Sequence, residues 1–127
     1  MRFTRWLYLI AGVYGLIVLP PKFFVEARIG QDEPPAITHP EFFYGFLGVA
    51  VAWQVAFLIM ARDPQRYRPL MIPAIIEKFS FGIAAAALFS LGRTSATVFG
   101  FAMIDLLWGT LFVVAYQMTR TQDAVGA

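Results

Sequence analysis

Three ionisable side chains lie where the chain is otherwise apolar. Glu77 and Lys78 stand side by side inside residues 70–91, and Asp105 occupies a comparable place in the next apolar stretch. Each such group in a bilayer core costs roughly 2.5–3.5 kcal/mol on insertion scales. A chain that keeps three of them is expected to have them partnered, hydrated or in use. Two carboxyls and an amine can bind a polar head group, pass a proton, or act as acid and base. Desolvation disfavours the charged form of a carboxyl. One left without a partner there is expected neutral near pH 7, and one paired with Lys78 is expected charged.

Counting at 1.5 Å per residue places these groups in depth. Glu77 and Lys78 fall slightly to one side of their span's centre, Gln54 falls on the same side of its own, and Asp105 lies close to mid-span. Four polar groups from three helices are therefore expected to share a layer on the order of 10 Å thick. Glu77 shares a helical stripe with Ala74, Ser80 and Ala84, which predicts that Glu77 points inward, since small residues mark helix contacts in membranes. Lys78, rotated by about 100°, is expected to reach back toward the interface. Asp105 shares its stripe with Val98, Phe101, Trp108, Gly109 and Phe112. Trp53 and Trp108 lie deep enough to line an apolar cavity. Glu77, Asp105 and Lys78 are thus the candidate chemical groups, with Gln54, Trp53 and Trp108 as further ligand contacts.

The elements that position them follow from composition. The chain has 127 residues, 59% of them hydrophobic and 14% charged, against roughly 25% charged in soluble domains. A helix that crosses a bilayer needs about 20 mostly apolar residues. Four stretches qualify, at about residues 6–24, 41–61, 70–91 and 96–118. The expectation is an all-α, single-domain integral membrane bundle of four transmembrane helices. The first stretch follows Arg2 and Arg5 and resembles a signal peptide, but it reads here as a span that Pro20 and Pro21 kink or end. Residues 25–40 form the one long loop, and Gly48, Ala52 and Ala56 offer a small-residue face for packing.

Arg2, Arg5, Arg62, Arg66, Arg68 and Arg120 fall on one side of these spans, and Lys22, Arg28 and Arg93 on the other. Positive charge favours the cytoplasmic side, so both termini are expected there. Arg62, Arg66 and Arg68 also suit anionic lipid head groups.

Several classes of function fall away. A net charge of +2 does not suggest a nucleic-acid partner. The absence of cysteine removes thiol catalysis, thiolate metal sites and disulfides. The single histidine, His39, lies at a span end near Asp32, Glu33 and Glu41, and one histidine among carboxylates fits no metal template. No metal site is expected, nor a haem, which would want a histidine within the core. Glycine-rich phosphate loops, nucleophile elbows and dinucleotide fingerprints are missing.

Four short spans, Arg5 ahead of a first helix carrying Gly12 and Gly15, and a basic second loop resemble the small DoxX-like bacterial membrane proteins. The prolines and the long loop after the first span depart from that pattern. The resemblance implies a bacterial inner-membrane protein, and some members are associated with quinone-linked redox complexes. Carboxyls such as Glu77 and Asp105 facing an apolar interior are also similar to those of the sterol isomerase-like membrane proteins. The leading expectation is a non-catalytic membrane protein. It would bind a hydrophobic molecule, such as a lipid or a quinone, or serve as an accessory subunit of a membrane complex or homo-oligomer. The alternative is an intramembrane enzyme or proton-coupled carrier using Glu77 and Asp105.

Overall fold

The computed structural model describes residues 2–126, with side chains described for residues 2–119. Among the described residues it is all helical, with no strand. In chain order the helices are α1 (Arg2–Val18), α2 (Glu26–Asp32), α3 (Pro40–Arg62), α4 (Met71–Ser90) and α5 (Ala96–Gly126). With their short 3-10 extensions, four segments are long and apolar enough to cross a membrane: Arg2–Phe24, Pro40–Arg62, Arg68–Ser90 and Ala96–Thr119. These are the four stretches expected from composition. The proline pair acts as expected on the first of them. α1 stops at Val18 and the chain continues as a 3-10 turn, Pro20–Phe24.

The segment read as a loop holds α2, a seven-residue helix. Arg28 and Asp32 form an i,i+4 ion pair at 3.7 Å on it, worth only a few tenths of a kcal/mol when exposed. Its start is tied to α3, because Tyr44 Oη donates to Glu26 Oε2 at 2.8 Å and the Tyr44 ring meets Phe23.

The chain divides into two compact units, Tyr8–Ile59 and the combination of Met1–Leu7 with Met60–Ala127. In the first unit, α1 offers the small face. Ala11, Gly12 and Gly15 are buried. A Cβ at Gly12 would come within 2.9 Å of the Gln54 carbonyl oxygen and 2.7 Å of Leu58 Cδ2. Tyr8 and Phe57, both fully buried, pack ring against ring with centroids 5.8 Å apart. This corrects the expected packing face of α3. Gly48 and Ala52 are exposed and Ala56 is half-buried, and a side chain at Gly48 would meet nothing within 4 Å. The buried stripe of α3 in this unit is Leu47, Ala50, Gln54 and Phe57. Close approach needs one small partner per contact, and α1 supplies it.

The second unit is built around the α4–α5 hairpin. Gly92, with φ of 71°, turns the chain in the left-handed region that residues with a side chain avoid. α4 buries Met71, Ala74, Lys78, Gly82 and Ala85, a seam of three- and four-residue steps along one helix face. α5 buries Ala102, Gly109, Phe112, Ala115 and Thr119. The two glycines interlock the helices. A Cβ at Gly82 would meet Leu106 Cδ2 at 2.6 Å, and one at Gly109 would meet the Phe79 ring at 3.0 Å. Each glycine is the hollow for a large residue of the other helix.

The open end of the hairpin is fastened by Arg68. Its guanidinium lies 3.7 Å from the centroid of the Tyr116 ring, and Nη2 donates to the Tyr116 carbonyl at 3.2 Å. A planar fork can do both at once, and an ammonium cannot. Arg68→Lys should therefore lower the stability of the detergent-solubilised protein by about 1 kcal/mol, read from its thermal unfolding. Wild-type stability in that variant would show that the clamp contributes nothing.

Candidate functional site

The hairpin register brings Lys78 on α4 against Asp105 on α5. Lys78 Nζ stands 3.7 Å from Glu77 Oε2 and 3.8 Å from Asp105 Oδ1. Glu77, Lys78 and Asp105 therefore form one cluster within a single compact unit. The contact follows from local sequence. Lys78 lies one turn from Gly82, the hollow that admits α5, and Asp105 lies one turn from Gly109. Without those hollows the helix axes would stand further apart, and the ammonium would fall short of the second helix.

The structure corrects which of the adjacent pair faces inward. The Lys78 side chain is 7% exposed, against 21% for Glu77 and 20% for Asp105. Lys78 is the buried member, on the seam with Ala74 and Gly82. Glu77 lies at the edge of that seam, and Ser80 and Ala84 on its stripe are exposed. Lys78 does not reach for the interface, because two carboxylates meet its charge at depth. An ammonium placed between them keeps an electrostatic partner on either side. The Oε2 atom of Glu77 is enclosed and receives no hydrogen bond, so the ion pair is the interaction shown for it.

The cluster carries two acids and one base, a formal charge of −1 with all three ionised. Its better exposed members are the two carboxylates. On α4, Glu77 is flanked by the small residues Ser80 and Ala84. On α5, Phe101 and Trp108 flank Asp105 at helical spacings of four and three residues. Trp108 is half-buried, and its ring packs against Phe112 with centroids 6.3 Å apart. The arrangement can hold a polar or charged group at the cluster and apolar matter beside it.

The remaining predicted contacts belong to the other unit. Gln54 is 2% exposed; its Nε2 donates to the Ala50 carbonyl at 2.9 Å, and its Oε1 is buried without a hydrogen bond. The Gln54 side chain fills the space left open by Gly15. Trp53 is half-buried and pairs with Phe57 at 6.2 Å between centroids. His39 is exposed and reaches Glu41, with Nδ1 3.4 Å from Oε1. Among the described residues no three histidine, aspartate or glutamate side chains gather to hold a metal.

Sequence reading missed two contributors. Arg68 reads from sequence as part of a basic loop, although its spacing from Gly92 matches that of Tyr116. Gly82 does not stand out among the apolar residues of α4, although a glycine one turn from a buried charge is a legible signal. No family model, curated protein or solved structure matches the chain. What is established is the class: among the described residues, an all-helical fold with four helices long and apolar enough to span a membrane and a lysine held between two carboxylates in the α4–α5 hairpin.

Proposed function

We propose that the protein is a small multi-pass membrane protein, DoxX-like in organisation, that binds a hydrophobic molecule through the Glu77–Lys78–Asp105 cluster. The observation that carries this reading is the exposure pattern. Lys78 is buried between Glu77 and Asp105, whose side chains stay about one-fifth exposed beside it at the flank of the helices. Lipid tails give them no partner, and an amphiphile with a polar head does. Mass spectrometry of the protein extracted in mild detergent should find a hydrophobic molecule that copurifies with the wild type. A folded Glu77→Gln/Asp105→Asn double variant should lose it. Equal retention by the two proteins would place the molecule elsewhere.

The contact of three ionisable groups supports a second reading, a proton-coupled carrier or intramembrane enzyme, in which the cluster exchanges a proton during turnover. Proteoliposomes would then acidify or alkalinise when substrate is added, and the simple binder would leave internal pH unchanged.

The setting is proposed to be a bacterial inner membrane with both termini in the cytoplasm, on the six-to-three excess of positive charge. The structure selects the positions for testing this. Phe3 is 41% exposed and Thr38 is exposed, and the chain has no native cysteine. In intact cells an impermeant thiol reagent should label Thr38→Cys and spare Phe3→Cys. The reverse pattern would invert the topology.

A further inference from the structure

We infer that the arginine-rich face of the second unit holds an anionic phospholipid, with the phosphate against exposed guanidiniums and the acyl chains along the helix flanks. This site is separate from the Glu77–Lys78–Asp105 cluster. Charge is the first argument. Residues 2–7 and 60–70 carry five arginines and one acid, Asp63, and both stretches belong to one compact unit. Alternating spans bring the start of α1, the end of α3 and the start of α4 to the same membrane face. Arg68 is engaged on Tyr116. Arg2, Arg5, Arg62 and Arg66 are exposed, and among the described residues none of their guanidiniums meets an acid. Asp63 instead accepts the backbone N–H of Arg66 at 3.2 Å. Guanidiniums stay charged in proteins, so this face is cationic whatever the state of Asp63. Residues 20–41 are built otherwise, with Lys22 and Arg28 set against four acids, and Arg28 paired with Asp32.

The order of side chains is the second argument, and it selects a lipid over a soluble anion. Trp6 follows Arg2 by one turn into its span, Ile59 precedes Arg62 by one turn, and both are exposed. The two arginines thus have open apolar surface on their membrane side, the same succession of phosphate and chains that a phospholipid presents. Arginine meets a phosphate through two parallel N–H donors. Rigidity is the third argument. Thr4 and Pro64 are buried, the Arg66 guanidinium lies 5.6 Å from the centroid of the Tyr67 ring, and Arg68 clamps the connection to α5. A connection already held in place loses little freedom when a head group docks.

The test offers the purified full-length protein, in mild detergent, equal amounts of phosphatidylglycerol and phosphatidylcholine with the same acyl chains. Native mass spectrometry should find the phosphatidylglycerol bound at least about tenfold in excess of the phosphatidylcholine. In detergent neither insertion nor orientation enters. Arginines that only set topology would leave the two lipids bound equally, which overturns the inference, and this comparison needs no variant. A folded Arg2→Gln/Arg5→Gln/Arg62→Gln/Arg66→Gln protein should lose the preference, and an unchanged preference there also overturns it. Glycerophosphoglycerol, the same head group without chains, should fail to displace the lipid at about hundredfold excess. Displacement would make this a site for a soluble anion, and the lipid assignment falls. The folded Glu77→Gln/Asp105→Asn variant should keep the preference, whatever becomes of the molecule proposed for that cluster. Loss of the preference in that variant would put the phospholipid at the cluster and overturn its assignment to the arginines.

Discussion

Replacing Lys78 with methionine should be the most damaging single change in the α4–α5 hairpin. The methionine fills much the same volume, so packing changes little. The charge that separates Glu77 from Asp105 disappears, and two carboxylates are left facing each other across a buried seam. Breaking a buried ion pair from one side costs roughly 3–5 kcal/mol, mostly as the penalty of the stranded charge. The single-carboxyl variants should behave differently. Asp105→Asn or Glu77→Gln leaves one lysine with one carboxylate, a neutral pair, and should change stability by no more than about 1 kcal/mol. Thermal unfolding in detergent measures all of this. Equal damage from Lys78→Met and Asp105→Asn would mean that the acids are not sharing the lysine.

The second large effect belongs to Gly82. A methyl group there would sit 2.6 Å from Leu106 Cδ2, 2.7 Å from its Cγ and 3.1 Å from the Ala102 carbonyl oxygen. Rotating the leucine cannot relieve the contact with the backbone carbonyl, so α4 and α5 must give there by a few tenths of an ångström. Overpacking of this kind costs about 1–3 kcal/mol, set against a gain of about 0.5–1 kcal/mol from replacing glycine by alanine in a helix. Gly82→Ala should therefore be net destabilising, and it should also loosen the Lys78–Asp105 contact one turn away. Gly48→Ala provides the control. Nothing lies within 4 Å of the added methyl, so that change should be neutral or mildly stabilising. If both alanine variants unfold like the wild type, the α4–α5 seam is not tightly packed at Gly82.

What the sequence disclosed, and what it hid, divides along physical lines. The four apolar helices were legible because spanning a bilayer demands about 20 consecutive apolar residues, a signal that survives any error of a residue or two. The common depth of Lys78 and Asp105 was legible for the same reason, since rise per residue is fixed. Facing was not. Glu77 and Lys78 are neighbours, and both flanks of α4 are apolar, so no contrast of polarity says which of them meets the next helix. The answer lay in Gly82, whose absent side chain sets the seam. The packing face of α3 is hidden in a related way. Gly48, Ala52 and Ala56 form a stripe of small residues, but a small surface signals contact only when a larger one fills it, and Gly12 and Gly15 on α1 already receive Leu58 and Gln54. The helix within residues 26–32 was obscured by five prolines among residues 20–40, although the span between Pro21 and Pro34 contains none.

The division of the charges between α4 and α5 also has a temporal side. Lys78 and Glu77 belong to a helix that is complete before Asp105 has been made. At about 5–20 residues per second of synthesis, the aspartate follows the lysine by roughly one to five seconds. Throughout that interval α4 carries two opposite charges on adjacent residues and lacks the acid that will later share its lysine. A helix in that condition is poorly suited to being left alone among lipids. The tight reversal at Gly92 brings the second acid back to the same depth as soon as α5 emerges. The two helices are thus built to enter the bilayer as a pair, and severing the chain at that turn should impair delivery of α4 to the membrane more than any loss of contact in the finished protein would suggest.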